Sequence, residues 1–293
     1  MNIYSVDELE KVKRITIAAL LADEYFMATL VLKGGNALNL AYNISTRGSI
    51  DIDFSIALDF SNLDLATLNN KVTILLKSEF EKHNYKVFDV LMVEKPKDIE
   101  EDVKEFWGGY KIEFKIVSAK HNFELEDNIE KMRRHAIPLH PKGSTKFTVD
   151  ISKFEYVETK KIQDIEGTTL YVYTPEMLVL EKLRALCQQL PQYKDIVKHM
   201  NSRARARDFF DIHNLMTSFK LDFTTSKNIE LARNIFEAKK VPLYFIRSLP
   251  TQYELHAESW GSVIQTIENG SYIKDFDYYY NYTLSRLFFL AEV

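Results

Sequence analysis

Apolar side chains recur at helical spacing from Ser5 to about Ala28, at Val6, Leu9, Val12, Ile15, Ala19 and Leu20. Ser5 followed by Glu8 has the form of a capping box, so the chain is expected to open with a helix. A compact block comes next. TLVLKGG is apolar up to a Gly-Gly pair, NALNLAYN has a short helical pattern and SIDIDFSI alternates, which together predict strand, turn, helix and strand. Helical spacing returns between Leu63 and His83, and VFDVLMV, YKIEFKIV and KFTVDISKFEY, rich in β-branched and aromatic residues, predict three more strands. In TTLYVYTPEM, Thr174 and Pro175 suit the N-cap and N1 positions of a helix that runs through MLVLEKLRALCQQL to Pro191. The segments beyond it, RARARDFFDIHNLM, SKNIELARNIFEAKK, YFIRSL, YELHAESWGSVIQTI and DFDYYYNYTLSRLFFLAEV, all carry helical spacing or charge patterning. The pattern predicts an α+β protein, with a mixed-sheet domain over residues 1–170 and a mainly helical domain over residues 171–293. The aromatic stripe near the C-terminus is expected to be core.

Composition narrows the function classes. With 46% hydrophobic and 13% aromatic residues, the 293-residue chain can bury a core, which excludes disorder as its main state. Its 38 Lys and Arg against 42 Asp and Glu give a net charge of −4, unlike a wholesale basic nucleic-acid coat protein. Cys187 stands alone, so neither an internal disulfide nor a cysteine pair for zinc is available, and a small buried thiol is expected. MNIYSVDELEKVKR alternates charges and lacks the apolar centre of a signal peptide. No run reaches the roughly 18 apolar residues of a membrane helix. A soluble cytoplasmic protein without a membrane partner is the expectation.

The sharpest candidate chemistry is Asp51 and Asp53. Two residues apart on a strand they share a face, so both carboxylates converge on one polar pocket while Ile50, Ile52 and Phe54 enter the core. Adjacent carboxylates repel unless a divalent cation lies between them, and Mg²⁺ commonly combines one or two carboxylates with substrate phosphates. Upstream, Lys33, Gly34, Gly35 and Asn36 end a strand and open a helix, the setting in which unobstructed backbone N–H groups face phosphates. The spacing fits neither a Walker A loop nor a dinucleotide-binding fingerprint. The seven histidines form no HExxH pair, and no GxSxG elbow is present, which argues against a zinc hydrolase or a serine hydrolase.

KGGNAL followed by RGSIDIDF resembles the signature of the polymerase beta-like nucleotidyltransferase superfamily, and in particular the AbiEii/AbiGii toxin family. YTPEMLVLEKLRAL and RARDFFDIHNL resemble that family's later motifs, in the same order. The resemblance covers about residues 30 to 215. It implies a nucleotidyltransferase-like sheet domain, with the helical domain completing the active-site cleft. It also implies a toxin of a type IV toxin-antitoxin or abortive-infection system, transferring a nucleotide from an NTP to an acceptor such as tRNA. Mg²⁺ or Mn²⁺ would be held by Asp51 and Asp53, with a third carboxylate from a neighbouring strand. Asp150 is favoured for that place and Glu113 is the alternative, read rather as a solvent-facing strand residue. The resemblance assigns catalytic roles to Asp51, Asp53, Asp150, Lys182 and Asp208. Lys33, Gly34, Gly35, Asn36, Arg47, Ser49 and Lys182 are assigned to the nucleotide. Lys182 reads as a cation reaching the triphosphate, and Asp211 as a supporting residue. A cognate antitoxin is implied as a partner.

Arg203, Arg205 and Arg207, with Lys194, Lys198 and His199 before them, form a dense basic patch beside Asp208. They are candidates for contacts to the nucleotide's phosphates or to an RNA acceptor backbone, against the alternative of a solvated charge run. Two other readings stay open from sequence: a catalytically silent NTP-binding protein of the same fold, and a non-enzymatic protein-interaction module.

Overall fold

A computed structural model describes residues 4–44, 49–60, 63–119, 128–140, 142–267 and 273–293. The chain opens with α1 (Val6–Leu21), capped by Ser5, whose side chain accepts from the Glu8 amide. The single helix expected to Ala28 is interrupted at Ala22 and Asp23. There Asp23 accepts from the Phe26 amide at 3.1 Å and caps a second helix, α2 (Glu24–Thr29). A side chain able to cap competes with continuing the helix, and here the cap prevails.

The predicted strand, turn, helix and strand follow as β1 (Val31–Lys33), a short helix α3 (Gly34–Asn36) that widens into a π-helical turn (Ala37–Ala41), and β2 (Ile52–Ser55). Next come α4 (Leu65–Lys82), β3 (Tyr85–Lys95), β4 (Gly109–Ser118), α5 (Ile129–His135) and β5 (Phe147–Ser152). A hairpin of β6 (Lys161–Ile165) and β7 (Thr168–Val172) completes the strands. All seven strands described form one mixed sheet in the order β3-β4-β5-β2-β1-β7-β6. β2 runs parallel to β5 and β1 parallel to β7, while the other neighbours are antiparallel.

β7 spans the boundary expected at residue 170 and hydrogen-bonds to β1, so the sheet extends to Val172. Helices take over with α6 (Pro175–Cys187), capped as expected by Thr174 with Pro175 in its first turn. α7 (Ala206–Phe219), α8 (Ser226–Glu237), the short α9 (Tyr253–Ala257) and α10 (Trp260–Ile264), and α11 (Phe276–Leu287) follow. Phe276, Tyr279 and Tyr280 of α11 are buried against Phe209 and Phe210 of α7, so the C-terminal aromatic stripe is core. Cys187 is likewise buried, as a small apolar side chain. No helix among the described residues is long and apolar enough to cross a membrane.

The carboxylate cleft

The sheet register brings the site together. Lys33 on β1 lies opposite Asp53 on β2, and Asp53 lies beside Asp150 on β5, so three neighbouring strands present one cation and two carboxylates in a row. Asp51 falls just outside this arrangement. The strand expected to carry both aspartates begins at Ile52, and Asp51 sits in the bend before it. There Asn36, which is fully buried, donates its amide to the Asp51 carbonyl at 2.5 Å. Asn36 is therefore not on the cleft wall, where it was expected to meet the nucleotide, and instead fixes the backbone that aims Asp51.

Gly34 adopts φ +68°, and a Cβ there would collide with the Asp53 carboxylate. Glycine is required on both counts, so the Gly-Gly pair gives the carboxylate its room. Burial, together with the charges of Asp150, Glu181 and Asp51, pushes the Asp53 carboxyl up to about 6 despite Lys33. Burial and Asp150 raise Asp51 as well. Asp150 is bonded by the largely exposed Lys95 at 2.9 Å. Glu113, two residues along from the Lys111 that faces Asp150, is held between Lys111 (2.7 Å) and Lys146 (3.1 Å) and does not line the cleft.

Lys33, Asp53, Lys95 and Asp150 form one end of a cavity of about 630 Å³ between the sheet and α6–α7, which Gly34, Gly35 and Ser49 also line, whereas Asp51 is not among its lining residues. Arg47 lies outside the described residues. Across the cavity, Lys182 is buried and donates to Asp211 at 2.7 Å and to Asp208 at 3.2 Å. Arg205 donates from Nε to the other Asp208 oxygen. Burial opposes ionisation of Asp208, yet Arg205 and Lys182 hold its carboxyl below the usual range. The ammonium expected to reach for a triphosphate thus bridges two helices. Asp211, expected in a supporting role, makes the shorter of its two bonds. Of the three arginines, Arg205 is committed to Asp208, whereas Arg203 and Arg207 are exposed on the cleft rim. Lys198 and His199, also on the rim, face Glu100.

A buried ionic cluster, which sequence reading missed, joins the two halves. Glu155, just after β5, takes a paired bond from Arg184 of α6 (2.8 and 3.1 Å) and lies 3.6 Å from Lys33 and 3.8 Å from Lys239. Lys33 also donates to Ser152 (3.1 Å) and to Glu181 (3.5 Å). Although burial opposes it, Arg184, Lys239 and Lys33 hold Glu155 far below the normal carboxylate range. Burial brings Lys239 down to about 8. Glu181 directly precedes Lys182, and Glu155 lies in KFEY, so both sit inside stretches already singled out. Their partners are 148 and 122 residues away from them in sequence at Lys33, a separation no local pattern reports.

His256 locks the arginine segment from behind. Its fully buried ring accepts the Arg205 N–H at Nδ1 (3.2 Å), so its proton sits on Nε2, which has no partner among the described residues. Burial lowers its pKa from 6.5 to about 4. A base held neutral in the fold adds stability above pH 6.5 that is lost as pH falls toward 4, here up to about 3 kcal/mol. His256→Gln keeps an acceptor for the Arg205 N–H. Urea midpoints between pH 7 and 4 should therefore fall less steeply in His256→Gln than in the wild type. Equal slopes would mean that other groups carry the acid sensitivity.

Comparison with known proteins gives one family match. A family model described as nucleotidyl transferase AbiEii toxin, type IV TA system, matches residues 16–281. Among solved structures, JHP933 from Helicobacter pylori aligns with 99% of this chain and 94% of its own at 18% identity, with a TM-score of 0.47. An antigenic nucleotidyltransferase-like protein from Paracoccidioides brasiliensis aligns with 81% of this chain and 94% of its own, also at 18% identity, with a TM-score of 0.35. A search of curated proteins finds no match.

Proposed function

The chain belongs to the AbiEii nucleotidyltransferase toxin family, and from that premise we propose that its cleft transfers a nucleotide from an NTP to the hydroxyl of an RNA acceptor such as tRNA. The observation that carries this reading is the pairing of Asp53 with Asp150 against the glycine floor, near enough to Asp51 for the three charges to act on one another, with a cationic rim across the same cavity. In the reaction the acceptor hydroxyl oxygen attacks the α-phosphorus in line and gives up its proton to solvent, the bond to the bridging oxygen breaks, and pyrophosphate leaves with its electron pair.

The acidic end fits a divalent cation. Asp53 carries a charge that its surroundings disfavour, and a positive ion beside it relieves that cost. Asp51 and Asp53 would hold Mg²⁺ or Mn²⁺, with Asp150 joining once Lys95 releases it. No group of three or more His, Cys, Asp or Glu side chains among the described residues is arranged to hold a metal ion. The remaining ligands would then be triphosphate oxygens, the usual habit of Mg²⁺. When bound, the ion would neutralise phosphate charge and orient the chain. Gly34 and Gly35 leave space for that chain, and Ser49 borders it. Lys182 fixes Asp208 and Asp211 so that Arg205 keeps its place, and Arg203 and Arg207 would face the acceptor's phosphates. A cognate antitoxin would restrain this activity in the cell.

The test is transfer of label from each α-labelled NTP, with Mg²⁺, to total cellular RNA and to the protein itself. A labelled RNA band is the expected result and identifies donor and acceptor class together. Label on the protein alone would replace the RNA acceptor with self-modification, and no label despite nucleotide binding would leave the silent binder.

A further inference from the structure

The cleft holds a second Gly-Gly pair that the carboxylate chemistry does not use. In Trp107-Gly108-Gly109-Tyr110, Gly108 has φ +103° and a Cβ on it would lie 2.6 Å from Ile99 Cδ1, while a Cβ on Gly109 would collide with the Ile151 carbonyl. The turn accepts no other residue at either position without displacement. Among the described residues lining the cleft, Trp107 and Tyr110 are the only Trp, Tyr or Phe side chains. Tyr110 is buried with its hydroxyl bonded to Asp59 (2.5 Å), which leaves the half-buried indole of Trp107, whose ring centre lies 5.8 Å from the Lys239 ammonium, as the accessible aromatic surface of the cleft.

A defined amide stands near it. Trp107 packs against Tyr193 (5.9 Å between ring centroids), and the Tyr193 hydroxyl donates to the Lys239 carbonyl at 2.7 Å. A carbonyl can only accept, so the phenol's one proton is committed there and its oxygen remains an acceptor. The Gln188 side chain, 3.3 Å from that oxygen, must therefore present its Nε2 to Tyr193. This assigns the orientation of the carboxamide and leaves its Oε1 an acceptor to which no described residue donates. Gln188 lines the same cleft.

Placement along the sheet agrees. Lys111 lies opposite Asp150 on β5, and Trp107 is four residues earlier, at most about 13 Å away along the strand direction. That is the scale on which a nucleoside triphosphate separates its base from its phosphates.

We propose that Trp107 and Gln188 form a nucleobase subsite, in which the base stacks on Trp107 and donates to Gln188 Oε1. The subsite favours adenine and cytosine, which carry an amine at N6 or N4, over guanine and uracil, which carry a carbonyl at the corresponding edge. The proposal rests on reading the cleft as a nucleotide site.

Trp260→Phe leaves Trp107 as the only tryptophan of the two. In that background, non-hydrolysable analogues of ATP, CTP, GTP and UTP with Mg²⁺ should quench the fluorescence, and inorganic tripolyphosphate should not. By calorimetry the ATP and CTP analogues should bind about tenfold more tightly than the other two. Trp107→Ala should weaken all four about tenfold or more while tripolyphosphate binds as before, and Trp107→Phe should retain most of the affinity. Gln188→Met should erase the preference for the amine-bearing bases. Nucleotide affinities unchanged in Trp107→Ala, or a preference absent from the wild type or surviving in Gln188→Met, would overturn the subsite and leave the nucleotide reading standing. Failure of tripolyphosphate and every nucleotide to bind would remove both.

Discussion

Replacing Asp53 with Asn is expected to abolish nucleotidyl transfer, by a factor on the order of 10³ or more, while leaving the protein at least as stable as the wild type. The two effects share one cause. Asp53 sits between Asp51 and Asp150, close to Glu181, and burial with these like charges pushes its carboxyl up to about 6. At pH 7.5 the fold therefore works against this charge, by about 1–3 kcal/mol. Asn preserves the shape and removes the charge, so Tm should rise even as metal and triphosphate lose their ligand. Activity is read by label transfer, toxicity by growth on induction, and stability by thermal melting without metal. Transfer persisting within tenfold of wild type would remove Asp53 from the reaction. A lower Tm together with lost transfer would mean that the residue serves the fold instead.

Glu155→Gln is expected to be the most damaging neutral substitution to stability, costing about 3–5 kcal/mol. Glu155 is 5% exposed and faces Arg184, Lys33 and Lys239, all similarly buried. Removing its charge leaves three cations, with Glu181 as the remaining carboxylate beside Lys33 and Arg184. Lys239, already brought down to about 8, is the group that can shed its proton. Glu155→Gln with Lys239→Met should consequently recover a substantial part of the loss. Denaturant unfolding of the single and double variants decides the matter. A loss below about 1 kcal/mol in the single variant would show that Glu181 alone compensates the cluster.

The elements that could be read from sequence are those whose signals are local. Ser5 and Thr174 cap helices because their side chains meet amides three residues on. β3, β4 and β5 show their alternation because each is covered on one face. The β6–β7 hairpin was missed. Its turn places Glu166 at φ +52° and Gly167 at φ +84°, with Asp164 accepting the Gly167 N–H, yet β6 is mostly exposed and offers little apolar alternation. α5, a seven-residue helix with Met132 as its buried residue, is similarly faint.

At the site, the sequence by itself determined the kinds of group available: paired aspartates after a Gly-Gly turn, a helical lysine, and an Asp-x-x-Asp segment among arginines. Those follow from short spacings that survive in one dimension. Only the tertiary structure decided what each group does with its charge. It turned Asn36 inward to hold Asp51, and it spent Lys182 on Asp208 and Asp211 and Arg205 on Asp208. It also drew Lys33, Arg184 and Lys239 around Glu155. A buried charge must find an opposite charge or a hydrogen-bond partner wherever the fold supplies one. For these residues that partner comes from elements distant in the chain, and only the packed sheet and helices bring it within reach.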